Sequence, residues 1–130
     1  MNHEEFEKKA MDMLLEGSDP KLVILKTQYA SATVIKRDFT GVGFFTRFNV
    51  PDTLVVEHFK GRIDDVRARI KNDEGNWTLG DWLFFILYIR DGKICTLECF
   101  TTLDDIWDYN YDNANPLEYC FDGRRDYILS

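Results

Sequence analysis

The sequence lacks the features of secreted, disulfide-bonded and membrane proteins. It has three cysteines, and an odd number with no repeating spacing does not build a disulfide framework. The longest nearly apolar run, residues 82–89, is eight residues long, whereas a membrane helix needs about 20. The first residues are acidic and do not lead from a basic stretch into an apolar run, so no secretory signal is expected. These absences predict a reduced, cytoplasmic protein that does not bind membranes.

Motifs for nucleotide, metal and nucleophilic chemistry are also missing. The segment Gly41-Val42-Gly43 has no third glycine, no following helix and no Walker lysine, so it predicts a turn or a bulge. Cys95 and Cys99 are predicted on one face of a strand, with Cα atoms roughly 13 Å apart, too far for a shared zinc ion. His3 and His58 are distant in sequence from every cysteine. We therefore expect no metal and no cofactor, and no motif assigns a catalytic residue.

Lysine and arginine are absent from the 30 residues between Ile94 and Gly123, which hold seven acids and six aromatic residues. The other 100 residues carry 16 acids and 16 bases, so this stretch accounts for the whole net charge of −7. This net negative charge disfavours binding to nucleic acid or to anionic membranes, because both require a basic surface. Carboxylates that alternate with rigid rings favour a basic protein partner instead. The predicted partner-binding residues are Asp104, Asp105, Trp107, Asp108, Tyr109, Tyr111 and Asp112.

A second interpretation of this stretch is structural. The rings would then pack over an open face of the sheet while the acids lie in water and keep the protein dispersed. The two interpretations are compatible if only part of each ring is buried.

Apolar periodicity predicts an α+β fold in a single domain, residues 1–130. Two N-terminal helices are expected to pack on a mainly antiparallel sheet of five to seven strands. The first helix is predicted over residues 3–16 and ends at Gly17, and Ser18 or Asp19 caps a second helix that has Pro20 in its first turn. A short helix is predicted over residues 103–109. The predicted strands are 33–39, 44–50, 53–59, 63–70, 81–90, 93–102 and 126–129.

Asp91-Gly92 predicts a hairpin with a two-residue loop, because both positions favour positive φ. In that register the numbers of paired residues sum to 183, which places Glu98 opposite Phe85 on an apolar face. A partly desolvated carboxylate either pairs with a base such as Arg47 or Arg37, or serves as a general acid or base. An alternative function is therefore a small enzyme or small-molecule-binding domain that uses Glu98 and Arg47 in a pocket between the helices and the sheet.

Several segments resemble a group of small bacterial proteins with no established activity. The most distinctive is Phe39-Thr40-Gly41-Val42-Gly43-Phe44-Phe45-Thr46 within residues 33–48, and similar stretches lie at 14–25, 65–68 and 83–98, so the resemblance spans roughly two thirds of the chain. In size, charge and architecture the chain also resembles immunity proteins of contact-dependent growth inhibition systems. That resemblance implies a non-enzymatic cytoplasmic protein that neutralises a basic toxin domain. A third expectation is a homodimer in which the C-terminal part of one copy covers the sheet of the other.

Overall fold

The structure, a computed structural model, describes residues 3–40, 43–70, 83–101 and 119–130. Two helices come first, α1 (His3–Leu14) and α2 (Pro20–Ser31), and a short 3-10 helix spans Asp52–Leu54. The strands are β1 (Thr33–Phe39), β2 (Gly43–Asn49), β3 (Gly61–Ile70), β4 (Leu83–Arg90), β5 (Lys93–Thr101) and β6 (Tyr119–Leu129). They form one antiparallel sheet in the order β1-β2-β5-β4-β3-β6, which confirms the predicted α+β architecture of two helices on an antiparallel sheet.

The two helices begin where local chemistry predicts, and α1 ends at Leu14, two residues before its predicted end. Glu4 and Glu5 lie in the first turn of α1, where carboxylates interact favourably with the helix dipole. Gly17, with φ of +123°, separates the helices, and the Asp19 side chain accepts a hydrogen bond from the Lys21 backbone N–H at 2.9 Å. Each helix has 12 residues, and no helix in the described residues is long and apolar enough to cross a bilayer.

The core lies between the helices and one face of the sheet, which we call the inner face. The Phe6 ring of α1 packs against Phe85 of β4 with ring centroids 5.5 Å apart. Burying each large apolar side chain stabilises the fold by about 1.5–3 kcal/mol, so this layer fixes the helices on the sheet. The fully buried large residues are Phe6, Met11, Leu14, Leu15, Leu22, Leu25, Phe44, Ile63, Phe85, Leu87, Ile94 and Leu97.

The predicted hairpin of β4 and β5 is present, but its predicted register is wrong beyond the first two pairs. Asp91 and Gly92 have φ of 51° and 71°, as the two-residue loop requires. The pairing then shifts, because Tyr88 lies opposite Thr96 instead of Cys95. Cys95 is the extra residue of a β-bulge. All later pairs therefore sum to 184.

Two other predicted elements differ from the structure, and a third is untested. Residues 53–59 are not an edge strand, because Pro51 is followed by the 3-10 helix Asp52–Leu54 and irregular backbone. The last strand begins at Tyr119 instead of Asp126. The predicted helix 103–109 lies outside the described residues.

The sheet face turned away from the helices is here called the outer face. It carries those residues of each strand that alternate with the buried residues of the inner face. In the central strand β4 it bears Phe84 and Ile86, which are half-buried, and Tyr88, which is 37% exposed. Gly43 of β2 approaches β5 so closely that a Cβ atom on it would lie 1.8 Å from the Cys99 carbonyl oxygen. The helices cover the inner face alone.

Candidate functional site

The seven predicted partner-binding residues, 104–112, lie outside the described residues, but the points where their segment joins the sheet are described. Thr101 at the end of β5 pairs with Leu83, and Leu83 pairs with Ala68 of β3. Tyr119 at the start of β6 pairs with Ile70. These pairs place both ends of segment 102–118, and both ends of segment 71–82, at the same end of the sheet, which we call the loop end. The Asp91-Gly92 turn lies at the opposite, hairpin end.

Strand order also fixes the separation of these two points. Strands β5 and β6 are separated by β4 and β3, so segment 102–118 joins strands roughly 14 Å apart at the usual strand spacing. Near the end of β5, on the outer face, the Phe84 and Phe100 rings lie with their centroids 5.8 Å apart. The acidic, aromatic segment is therefore attached next to an aromatic pair on the sheet.

Glu98 and Arg47 do not form the predicted pocket between the helices and the sheet. The bulge at Cys95 places Glu98 opposite Ile86 on the outer face, where it is half-buried and accepts a hydrogen bond from the Tyr88 hydroxyl at 3.0 Å. Arg47 is exposed on the same outer face, opposite Thr96. The predicted inner-face environment of Glu98 was wrong because the one-residue bulge reverses which face each later residue of β5 occupies relative to β4.

The bulge also separates the two cysteines that were predicted on one face. Cys99 is 1% exposed in the core, whereas Cys95 is half-buried and lines a groove on the outer face. Burial first, and then the negative charges of Glu98 and Glu7, raise the pKa of the Cys99 thiol well above its ordinary value. Cys99 is therefore held as a neutral thiol, which is a poor nucleophile.

The inner face holds a buried carboxylate, Glu7 of α1, that the sequence interpretation missed. It accepts hydrogen bonds from His3 Nε2 at 3.1 Å and from Thr46 Oγ1 at 2.8 Å. The Arg37 guanidinium of β1 donates from Nε and Nη2 at 3.1 and 3.2 Å, so a two-pronged contact joins the helix to the sheet. One signal was available in the sequence: His3 and Glu7 interrupt the apolar face formed by Phe6, Ala10, Met11 and Leu14.

The surroundings of Glu7 keep it ionised. Burial raises the pKa of this carboxyl, but the hydrogen bonds from His3, Arg37 and Thr46 and the charge of Arg37 outweigh burial, so its pKa lies below its ordinary value. The carboxylate accepts four hydrogen bonds, from side chains of α1, β1 and β2. These bonds hold the helix against the two strands. We interpret Glu7 as a structural residue.

A groove of about 800 Å³ between α1, α2 and β1 reaches this cluster. Tyr29 and Phe48 line the groove, with ring centroids 6.0 Å apart. Burial, followed by the charges of Glu7 and Asp12, raises the pKa of Tyr29 to about 12, so its hydroxyl is protonated at neutral pH and can donate a hydrogen bond. This groove lies between the helices and the sheet, and neither Glu98 nor Arg47 lines it.

Three carboxylates lie close enough to share a divalent cation. The ligand oxygens of Asp64, Asp65 and Asp126 all lie within 4.8 Å of one another, where Asp64 of β3 pairs with Asp126 of β6. Oxygen ligands of this kind suit calcium or magnesium. Burial first, and the neighbouring acids, raise the pKa of Asp64, although Arg62 opposes this shift. Asp65, with φ of 65°, lies where the register shifts between the pairs Asp64–Asp126 and Val66–Gly123, so a bulge in β3 also accounts for the cluster.

No protein-family model, curated protein or solved structure matches the chain significantly.

Proposed function

We propose that this chain is a non-enzymatic cytoplasmic protein that captures a basic protein partner, as an immunity protein captures a toxin domain. The contact is assigned to acids and rings of the segment after β5. The segregation of charge carries the proposal, because residues 94–123 hold seven acids and no base whereas the rest of the chain is neutral. The assigned residues are Asp104, Asp105, Trp107, Asp108, Tyr109, Tyr111 and Asp112.

Charged side chains and aromatic rings would contribute to such a contact in different ways. Clustered carboxylates raise the rate at which a basic protein arrives in a productive orientation. Tyrosine and tryptophan then supply large rigid contact surfaces at low cost in side-chain entropy. Nucleases hold phosphates with positive charge, so an acidic surface of this kind both attracts and blocks a nuclease toxin domain.

Described residues beside the attachment points support the proposal. Phe84 and Phe100 form a half-buried ring pair on the outer face at the loop end. An aromatic pair next to an acidic, aromatic segment extends the area available to a partner. The Cys99 thiol is buried and neutral, and the Glu7 carboxylate is occupied by four donated hydrogen bonds. Neither group is placed for catalysis on a substrate.

Reversing three acids of the segment tests the proposal. The chain is first used to capture proteins from its native host, and a captured protein of basic isoelectric point is produced in recombinant form. The variant Asp104→Lys/Asp105→Lys/Asp108→Lys is expected to lower the association rate constant with that protein at least about tenfold, because steering by the carboxylates is lost. Stopped-flow fluorescence at fixed ionic strength measures the rate.

A matched variant separates local from total charge. Glu16→Lys/Asp38→Lys/Glu57→Lys reverses three exposed acids outside the segment and raises the net charge by the same six units. We expect this control to change the association rate much less. Equal rates for the two variants, or capture of no basic protein at all, would remove the proposal.

A further inference from the structure

A groove of about 600 Å³ lies on the outer face at the hairpin end. Arg47 of β2, Arg90 of β4 and Lys60 just before β3 line it, together with the Thr96 and Tyr88 side chains. The register brings them together, since Arg47 pairs with Thr96 and Thr96 pairs with Tyr88. Among the described residues, neither aspartate nor glutamate lines this groove, and Ser130, the last residue of the sequence, lies at its rim beside Lys60. A chain with seven excess acids thus has a groove whose charged side chains are all basic.

Neighbouring cations on the sheet have carboxylate partners. Lys36 lies 3.3 Å from Asp38, Arg62 lies 3.5 Å from Asp64, and Lys93 is paired with Asp52. Each of these cations is the strand partner of a groove residue, since Lys36 pairs with Arg47, Arg62 with Tyr88 and Lys93 with Arg90.

The groove cations are different. Arg47, Lys60 and Arg90 are exposed and form no ion pair with any residue in the described ranges. Glu98, the acid beside Thr96, accepts its hydrogen bond from Tyr88. Three unneutralised cations around one concavity repel one another, and an anion in the concavity would relieve that repulsion.

The geometry points to a binding site for a small phosphate-bearing molecule in this groove. Two guanidinium groups suit the oxygens of a phosphate, which they bind in a two-pronged manner, and Lys60 adds a third charge. The Thr96 hydroxyl, which donates to Cys95 Sγ at 3.5 Å, can rotate to donate to a phosphate oxygen instead. A volume of about 600 Å³ is within the range of small-molecule sites and exceeds that of a bare phosphate ion, so a sugar phosphate or nucleoside monophosphate fits.

Cys95 offers a direct readout because it is half-buried in the wall of this groove while Cys99 is buried in the core. In a Cys120→Ser background, the rate at which a thiol reagent labels Cys95 is measured against increasing inorganic phosphate, glucose 6-phosphate and a nucleoside monophosphate. Glucose and the nucleoside serve as uncharged controls, and ionic strength is held constant. We expect the phosphates to slow the labelling at millimolar concentrations and the uncharged molecules to leave it unchanged.

Charge-neutralising variants locate the effect. Arg47→Gln and Arg90→Gln are each expected to weaken the protection by phosphate compounds about tenfold or more, since each removes a charge-assisted hydrogen bond. Lys36→Gln removes an ion-paired cation from the neighbouring edge strand. We expect this variant to change the protection by phosphate compounds by less than about twofold. Thermal unfolding of each variant checks that the fold is retained.

Three results would overturn the proposal. One is the absence of protection by any phosphate compound. Another is an equal loss of phosphate protection in Lys36→Gln and Arg47→Gln, which would mean that the protection depends on net charge alone. The third is protection by a synthetic peptide of residues 102–118 without protection by phosphates, since this would assign the groove to the acidic segment of a second copy.

Discussion

Replacing Glu7 by alanine is expected to lower the free energy of unfolding by about 3–5 kcal/mol. The change removes a buried carboxylate and leaves the Arg37 guanidinium and the His3 ring without the acceptor that now lies 3.1 Å from each. Losing one partner of a largely buried ion pair costs more than the pair contributes, because the Arg37 side chain, 26% exposed, would stay mostly desolvated. Urea unfolding monitored by fluorescence measures the loss. Glu4→Ala, on an exposed position of the same helix, is the control and should cost less than about 1 kcal/mol.

The same carboxylate makes stability depend on pH in a defined direction. The pKa of Glu7 lies below its ordinary value of 4.5 in the folded protein, so its contribution is complete above that value and is lost as the pH falls through the folded-state pKa. The difference in unfolding free energy between the wild type and Glu7→Gln should therefore shrink as the pH is lowered through the acidic range. A difference that is constant from neutral to acidic pH, or a Glu7→Ala variant as stable as Glu4→Ala, would contradict this account.

Replacing Gln28 by leucine is expected to cost at least about 2 kcal/mol, because two backbone groups at the hairpin turn would lose their partner. Gln28 of α2 is completely buried, its Nε2 donates to the Gly92 carbonyl at 2.6 Å, and its Oε1 accepts from the Ile94 N–H at 3.0 Å. Each buried backbone group left without a hydrogen bond costs about 1–3 kcal/mol. The neighbouring Thr27→Ala, on an exposed position, should cost much less.

Amide hydrogen exchange distinguishes the loss of the Gln28 hydrogen bonds from a loss of stability throughout the fold. In Gln28→Leu the Ile94 amide should exchange faster by more than the global loss of stability explains. An Ile94 amide that stays as protected as the amides of β2 would show that the Gln28 side chain does not hold the turn.

The sequence predicted elements whose signals are local. Asp91-Gly92 specified the turn because only a few residue types tolerate positive φ at both positions. The bulge at Cys95 was not predicted because Cys95 and Thr96 are both half-buried. Neither residue therefore shows which face of β5 it occupies. A single extra residue then moved Glu98 from the predicted apolar surroundings to the outer face, beside Tyr88.

Sites assembled from distant segments could not be predicted in the same way. The donors to Glu7 include Arg37 and Thr46, which are 30 and 39 residues away, and no local pattern links them. The basic groove likewise joins residues of several strands whose order follows from the whole sheet. The acidic segment is the opposite case, because its composition is plain in the sequence while its residues 104–112 lie outside the described ranges.

The proposed capture of a basic partner requires that segment 102–118 present its rings and carboxylates to solvent. A variant with Trp77→Phe and Trp82→Phe leaves Trp107 as the single tryptophan, flanked in sequence by Asp104, Asp105 and Asp108. Quenching of its fluorescence by caesium, iodide and acrylamide is the most direct test. We expect efficient quenching by acrylamide, with caesium more effective than iodide because the carboxylates concentrate cations around the ring. The preference should invert when the three aspartates are changed to lysine. A Trp107 that resists all three quenchers would be a buried ring and would contradict the proposed binding surface.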